Sequence, residues 1–160
     1  MSVHIRYANE PDSALILDFI KELAAYEGMG ELVTATPETV RVSVFEKKQA
    51  EVLITEVNGE PAAFALFYPV YSTFLGKANL FLEDLFVREE YRGTGIGRKL
   101  LKRLAEIAAE RGLERLDWYV LKDNEKGEAF YRHLGAIPLN DRRTYRLEGK
   151  KLKQLAEGGQ

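Results

Sequence analysis

Cysteine is absent from this chain of 160 residues, which excludes disulfides, thiolate metal ligands and cysteine nucleophiles. Histidine occurs only as His4 and His133, a poor basis for a metal site, so no metal is expected and both are interpreted as structural or surface residues. Acidic and basic residues are also nearly balanced, at 25 and 23. The net charge of −2 provides no general field for nucleic acid or an anionic membrane, and neither is expected as a partner.

Long apolar runs are also missing. The longest, Pro61 to Val70, falls well short of the ~20 residues that span a bilayer. Residues 1–9 lack the apolar core and cleavage site of a secretory signal, so a cytoplasmic location is expected. With 46% hydrophobic residues the chain can bury one substantial core, and we predict a single domain over 1–160, with a polar tail at about 156–160 as a candidate for disorder.

Hydrophobic periodicity predicts a mixed α/β domain in the order βααβββαβαβ. Helices are expected after Pro11, after the N-cap Thr36, from Gly97 to Arg111 and from Glu125 to Leu134. Alternating or β-rich segments predict the six strands 3–8, 50–57, 61–70, 79–87, 115–121 and 144–147. Asn58-Gly59 supplies the turn of the most secure hairpin, between the second and third strands.

A glycine-rich loop lies between the fourth strand and the clearest helix, with the sequence Arg92-Gly93-Thr94-Gly95-Ile96-Gly97. Its amides are expected to converge at a helix N-terminus, where a phosphate or pyrophosphate would bind with help from Arg92 and Arg98. The spacing fits neither the P-loop nor the dinucleotide fingerprint, whose third glycine would stand at Arg98. A plain capping turn with a solvated basic face is the alternative.

With this loop the chain resembles the GCN-five-related N-acetyltransferase (GNAT) superfamily, whose pyrophosphate loop reads Arg/Gln-x-x-Gly-x-Gly/Ala. The resemblance extends over nearly the whole chain. Within the superfamily, the chain is similar to the diamine or polyamine acetyltransferase branch, which includes spermidine/spermine and thialysine enzymes. Four blocks in the family order carry it: residues 20–27, 82–87 and 90–97, and the stretch from Asn124 through Phe130-Tyr131 to Gly135-Ala136.

The resemblance implies a GNAT fold, a single mixed β-sheet with a V-shaped split, flanked by helices. It also implies acetyl-CoA as cofactor, bound by strand residues, by the glycine loop and by the start of the helix after Asn124. The implied cofactor residues are Leu85, Phe86, Val87, Arg92, Gly93, Thr94, Gly95, Ile96, Gly97, Arg98, Asn124, Lys126 and Tyr131. The implied acceptor-facing residues are Tyr26, Glu27, Glu83 and Asp84, and Trp118 is a further candidate for lining the acceptor pocket.

Two residues are candidates for proton transfer. Glu83 is the candidate base, acting directly or through water, because adjacent carboxylates in an apolar strand require a polar cavity or partners. The alternative is that Glu83 and Asp84 pair with lysines or cap a bulge. The resemblance places Tyr131 near the thioester sulfur, and Tyr131 is the candidate acid that protonates the leaving thiolate. The alternative is that Tyr131 is an ordinary core tyrosine.

The sequence departs from the branch at two places. Asp123 stands where family members commonly have tryptophan, and Arg142 and Arg143 stand where the eukaryotic polyamine enzymes have acidic residues. These arginines would repel a long polycation, but they would suit an acceptor that carries a carboxylate, such as a lysine-like or thialysine-like amino acid. Two solvated arginines in a loop are an equal alternative.

The resulting prediction is an enzyme, an acetyl-CoA-dependent N-acetyltransferase. Its acceptor would be the primary amine of a small molecule, a polyamine, a diamine or a lysine-like amino acid, which attacks the thioester directly. A protein or peptide N-acetyltransferase and a non-catalytic acyl-CoA-binding sensor are the alternatives. A homodimer is expected, as is usual in the branch, with the leucines of the segment from Lys150 to Leu155 as one possible contact.

Overall fold

The computed structural model describes residues 1–158, which form two compact units, one of residues 1–119 and a second that begins at Val120. The single domain predicted for 1–160 stays a prediction, and Gly159 and Gln160 of the predicted tail lie outside the described residues. Within 1–158, no helix has the length and apolar character required to cross a membrane.

The first unit contains a mixed five-stranded sheet with helices on both faces. The strands are β1 (Val3–Tyr7), β2 (Glu51–Val57), β3 (Glu60–Ser72), β4 (Lys77–Val87) and β5 (Leu116–Trp118), adjacent in that order. All neighbours are antiparallel except β4 and β5, which are parallel. The helices are α1 (Ser13–Tyr26), α2 (Pro37–Val40), which continues as a π-helix over Arg41–Glu46, and α3 (Ile96–Glu110).

Local signals form these elements as predicted. Asn58 and Gly59 both adopt positive φ, the backbone that a two-residue hairpin turn between β2 and β3 requires. The Thr36 side chain accepts a hydrogen bond from the Thr39 amide and caps α2, whose first residue is Pro37. The prediction of this hairpin and of this helix start is confirmed.

The core lies on both faces of the sheet. On one face, Phe19 of α1 stacks on Phe64 of β3 with ring centroids 5.1 Å apart, and Ile16, Ile54 and Phe86 belong to the same buried cluster. The buried stripe of α3 covers the sheet as well and consists of Ile96, Leu100, Leu101, Leu104, Ile107 and Ala108. Because each fully buried aromatic or aliphatic side chain contributes roughly 1.5–3 kcal/mol, these two layers hold the strands that carry the candidate site.

The β4–β5 pairing is short. It joins Leu80–Leu82 of β4 to Leu116–Trp118 of β5, whereas β4 continues to Val87. The two strands therefore part after Leu82, as expected for a V-shaped split. The strand predicted at 115–121 is confirmed but is shorter than predicted, because its ladder ends at Trp118.

The second unit differs from the prediction at its end. The helix predicted over 125–134 is present as α4 (Glu125–His133), and a helix that was not predicted follows as α5 (Gly149–Ala156). The strand predicted at 144–147 is wrong: this segment is exposed and lies in no strand of the described chain. Residues with β-propensity form a strand only where another strand pairs with them, and sequence does not show the partner.

Candidate active site

A β-bulge in β4 places Glu83 at the centre of the candidate site. Leu66 of β3 pairs with Asp84 and the next residue, Phe67, pairs with Leu82, so Glu83 is the extra residue between them. A bulge bends the strand and changes the direction of the side chains around it. This explains how an otherwise apolar strand accommodates two adjacent acids: Glu83 is exposed and Asp84 is only partly buried.

Three carboxylates approach one another at this bulge. Burial, and after it the charges of Glu83 and Glu27, raise the pKa of Asp84 to about 6. Burial also raises the pKa of Glu27, which lies immediately after α1. The Tyr68 hydroxyl donates a hydrogen bond to Glu83 Oε2 at 2.7 Å. The cluster combines negative charge with partial burial, a combination that suits a cationic ligand.

Arg92 links α1 to the end of β4. Its guanidinium lies 4.4 Å from the centroid of the Tyr26 ring and 5.4 Å from that of Phe86, and its Nε donates a hydrogen bond to the Val87 carbonyl at 2.9 Å. The side chain predicted to help bind the pyrophosphate therefore stacks on Tyr26, one of the predicted acceptor-facing residues. The cofactor role of Arg92 stays a prediction, and its side chain also connects the two predicted subsites.

The last residues of β4 present backbone groups toward the side where β5 has parted. The Arg88 amide donates to the Ala62 carbonyl on the β3 side. Because consecutive residues of a strand point their N–H groups to opposite sides, the N–H groups of Leu85 and Val87 point away from β3. An extended ligand can pair with such a strand edge as an additional strand would.

The glycine loop lies beside this strand end. Gly93 and Gly95 have φ of 75° and 85°, and Gly95 caps α3 in the left-handed conformation that favours glycine. A Cβ atom added at Gly97 would lie 3.9 Å from Leu85 Cδ2 and 4.0 Å from Val87 Cγ2, so the start of α3 packs against β4. The first amides of α3 have no partners within the helix, and the helix dipole favours an anion there.

Aromatic side chains form a row that runs from β3 across β4 to the residue after β5. Tyr68 stacks on its cross-strand partner Phe81, with ring centroids 5.6 Å apart, and Tyr119 meets Phe81 edge to face at 4.8 Å. Trp118 is partly buried and is the β5 partner of Leu82, the last paired residue before the split. The structure thus places Trp118 opposite the residue that precedes Glu83, and its role in lining an acceptor pocket stays a prediction.

Comparison with known proteins identifies the family. The acetyltransferase (GNAT) family model matches residues 17–136. The chain belongs to the GNAT acetyltransferase family. Among its relatives, thialysine N-epsilon-acetyltransferase of Sus scrofa is 38% identical over 97% of this chain and 98% of the relative. The enzyme of the same name from Caenorhabditis elegans is 36% identical over 92% and 93% of the two chains.

Solved structures agree with this assignment. An integron cassette protein of V. cholerae superposes with a TM-score of 0.81 at 29% identity and covers 98% of this chain and 99% of its own. A predicted acetyltransferase of Clostridium acetobutylicum, solved with acetyl-CoA, has the same fold, with a TM-score of 0.73, 17% identity and coverage of 91% and 96%. The predicted family, the GNAT fold and the prediction of an acetyltransferase enzyme are confirmed.

The second unit carries the remaining predicted residues of this GNAT protein. Asn124 caps α4, and its side-chain oxygen accepts a hydrogen bond from the Gly127 amide at 3.0 Å. Lys126 lies in the first turn of α4, and Tyr131 lies in its last turns with its ring 5.6 Å from that of Phe130. Burial raises the pKa of Tyr131, so its hydroxyl keeps its proton at neutral pH. The predicted roles of these residues stay predictions.

The two arginines after α4 are exposed. Arg142 pairs with its neighbour Asp141, with Nε 3.2 Å from Oδ1, and more than two thirds of each side chain is exposed. Between residues so exposed, an ion pair contributes little to stability. The carboxylate-binding role of Arg142 and Arg143 and the alternative of two solvated arginines both stay predictions.

Sequence reasoning missed Tyr68. The residue is one of eight tyrosines, and nothing in its local pattern distinguishes it from an ordinary strand aromatic. The cross-strand register of the β3–β4 hairpin is the signal that could have found it. Counting from the turn pairs Tyr68 with Phe81, two residues before Glu83 on β4, because the bulge shifts the register only beyond this pair.

Proposed function

We propose that this GNAT enzyme is an acetyl-CoA-dependent N-acetyltransferase whose acceptor is the primary amine of a small molecule, with a lysine-like or thialysine-like amino acid preferred over a diamine or polyamine. The observation that carries the proposal is the carboxylate cluster of Glu27, Glu83 and Asp84 beside the split in the sheet. The full-length relatives named as thialysine acetyltransferases support the preferred acceptor.

The carboxylate cluster favours a cationic acceptor. An ammonium group near Asp84 lowers the pKa that burial and the neighbouring charges have raised, so binding of the cation relieves the mutual repulsion of the acids. By contrast, an uncharged or anionic acceptor leaves the repulsion among the three acids in place. Among the residues of 1–158, no group of three or more His, Cys, Asp or Glu side chains is arranged to hold a metal ion. An organic ammonium suits the carboxylate cluster because its positive charge offsets the repulsion among the three acids.

Acetyl-CoA fits the residues beside the cluster. The N–H groups of Leu85 and Val87 face away from β3, where the pantetheine amides would pair with them. The loop from Gly93 to Gly97 opens α3, and the exposed Arg98 adds positive charge near the helix end that would receive the pyrophosphate. When bound, the cofactor supplies an acetyl group activated as a thioester.

The residues of the chain supply the proton transfers. Deprotonating an ammonium with a pKa of about 10.4 costs about 4.6 kcal/mol at pH 7, so the site requires a base. Glu83 accepts this proton from the amine nitrogen, directly or through a water molecule. The Tyr131 hydroxyl, kept protonated by burial, donates a proton or a hydrogen bond to the departing sulfur.

Thiol release from acetyl-CoA tests this proposal, with thialysine, lysine, putrescine, spermidine and short peptides as acceptors. We expect release with the small amines, fastest with the amino acids. Glu83→Gln should lower kcat by about a hundredfold and Tyr131→Phe by about tenfold or more, as is typical for loss of a general base or acid. The matched controls Glu60→Gln and Tyr71→Phe alter exposed residues of β3 and should leave kcat unchanged.

The other outcomes assign other functions. Acetylation of peptides but not of small amines would identify a peptide N-acetyltransferase. Binding of acetyl-CoA without release for any acceptor would identify a sensor. Release that survives both Glu83→Gln and Tyr131→Phe would refute the assigned roles of these residues while leaving the reaction itself in place.

A further inference from the structure

Tyr68, which has no role in the proposed reaction, is hydrogen-bonded to Glu83, the proposed base. The Tyr68 hydroxyl donates to Glu83 Oε2 over 2.7 Å. Burial, and after it the hydrogen bond to Glu83, raise the pKa of Tyr68, so the phenol stays protonated and remains a donor over the whole working pH range. The phenol can therefore donate this hydrogen bond at neutral pH.

The phenol is held by its surroundings, whereas the carboxylate is not. Tyr68 stacks on Phe81 of β4, which in turn meets Tyr119, the residue after β5, edge to face, so the Tyr68 ring is fixed by aromatic contacts. Glu83 is the extra residue of the bulge, so it has no directly paired residue on β3, and its side chain is exposed. A glutamate in this position has several rotamers available, and ordering it carries an entropic cost.

We propose that Tyr68 is a positioning residue that holds the Glu83 carboxylate in the orientation required to accept the proton of the acceptor amine. The phenol occupies Oε2, so the amine proton is transferred to Oε1. Tyr68 acts through Glu83 and does not itself contact the reacting atoms. This role rests on the proposed function, because a positioned base has a purpose only if Glu83 removes a proton.

A double-mutant cycle on kcat tests this role, with wild type, Tyr68→Phe, Glu83→Gln and the double variant compared under saturating amine and acetyl-CoA. Tyr68→Phe removes one oxygen atom and keeps the stacked ring. We expect it to lower kcat by about tenfold, less than the roughly hundredfold that a full 1 Å misplacement can cause. The KM for acetyl-CoA should stay unchanged, because Tyr68 lies on β3, away from the glycine loop.

The decisive comparison is made in the Glu83→Gln background. There the base is already lost, so adding Tyr68→Phe should change kcat by less than about twofold. Tyr71→Phe, which removes the hydroxyl of an exposed tyrosine on the same strand, should have no effect in either background. Thermal unfolding of all variants verifies that each is folded.

The possible failures are distinguishable. An equal loss of kcat from Tyr68→Phe with and without Glu83 would show that Tyr68 acts independently of Glu83 and would overturn the inference. An unchanged kcat in Tyr68→Phe, with Glu83→Gln impaired, would overturn it as well. If wild type acetylates no small amine, the proposed function fails and the positioning role fails with it.

Discussion

Replacing Asp84 with asparagine should stabilise the folded protein near pH 8 while impairing its activity. Burial, together with the charges of Glu83 and Glu27, raises the pKa of Asp84 from 3.8 to about 6. Between these two values the folded state binds more protons than the unfolded state, so stability falls as the pH rises through this window. At about 1.36 kcal/mol for each pKa unit, the ionised carboxylate destabilises the fold by about 3 kcal/mol above pH 6.

Asparagine carries no charge at any pH and removes this penalty. Urea denaturation followed by the fluorescence of Trp118, the single tryptophan, should show Asp84→Asn more stable than wild type by up to about 3 kcal/mol near pH 8. The difference should become small near pH 4, where the folded wild type has Asp84 protonated. At the same time KM for the amine should rise, because the variant loses one of the charges that attract the acceptor.

A control and a refuting result complete this test. Asp18→Asn, on the exposed face of α1, should change stability by less than about 0.5 kcal/mol. If Asp84→Asn changes stability equally near pH 4 and pH 8, Asp84 does not have a raised pKa. If it leaves the amine KM unchanged, the carboxylate cluster does not bind the acceptor.

Two further predictions concern the supports of the site. Arg88→Gln should lower the free energy of unfolding by about 1–2 kcal/mol in thermal melts. It removes two hydrogen bonds to Glu22, of 2.8 and 3.0 Å, that connect α1 to the end of β4. Because solvent reaches both side chains, the loss is limited. An unchanged melting temperature would show that this ion pair does not hold α1. Gly95→Ala should destabilise the protein by about 1–2 kcal/mol and raise the KM for acetyl-CoA, because alanine is strained at a φ of 85°. Gly97→Ala adds a Cβ that makes only ordinary contacts, so it should lower the melting temperature less than Gly95→Ala does. A greater loss of stability in Gly97→Ala than in Gly95→Ala would contradict this interpretation of the loop.

Local chemistry in the sequence was sufficient for much of the fold. The Asn58-Gly59 turn, the Thr36 cap and the apolar stripe of α3 are each fixed by residues a few positions apart, and all are present in the structure. The family motif predicted the fold and the acetyltransferase class for the same reason: a glycine loop that opens a helix is a continuous segment. The homodimer and the site roles stay predictions.

Contacts between distant segments decided the remaining features. The adjacent acids Glu83 and Asp84 were recognised from sequence as requiring an explanation, but the bulge that accommodates them comes from the pairing register between β3 and β4. The bond from Tyr68 and the raised pKa of Asp84 depend on that register and on Glu27, which lies far away in the chain. The prediction of a strand at 144–147 was wrong because a strand forms only where a neighbouring strand pairs with it, and β-propensity does not supply that neighbour. Sequence by itself determined which chemical groups are present, and only the tertiary structure decided which of them meet, because pairing and burial depend on residues far apart in the chain.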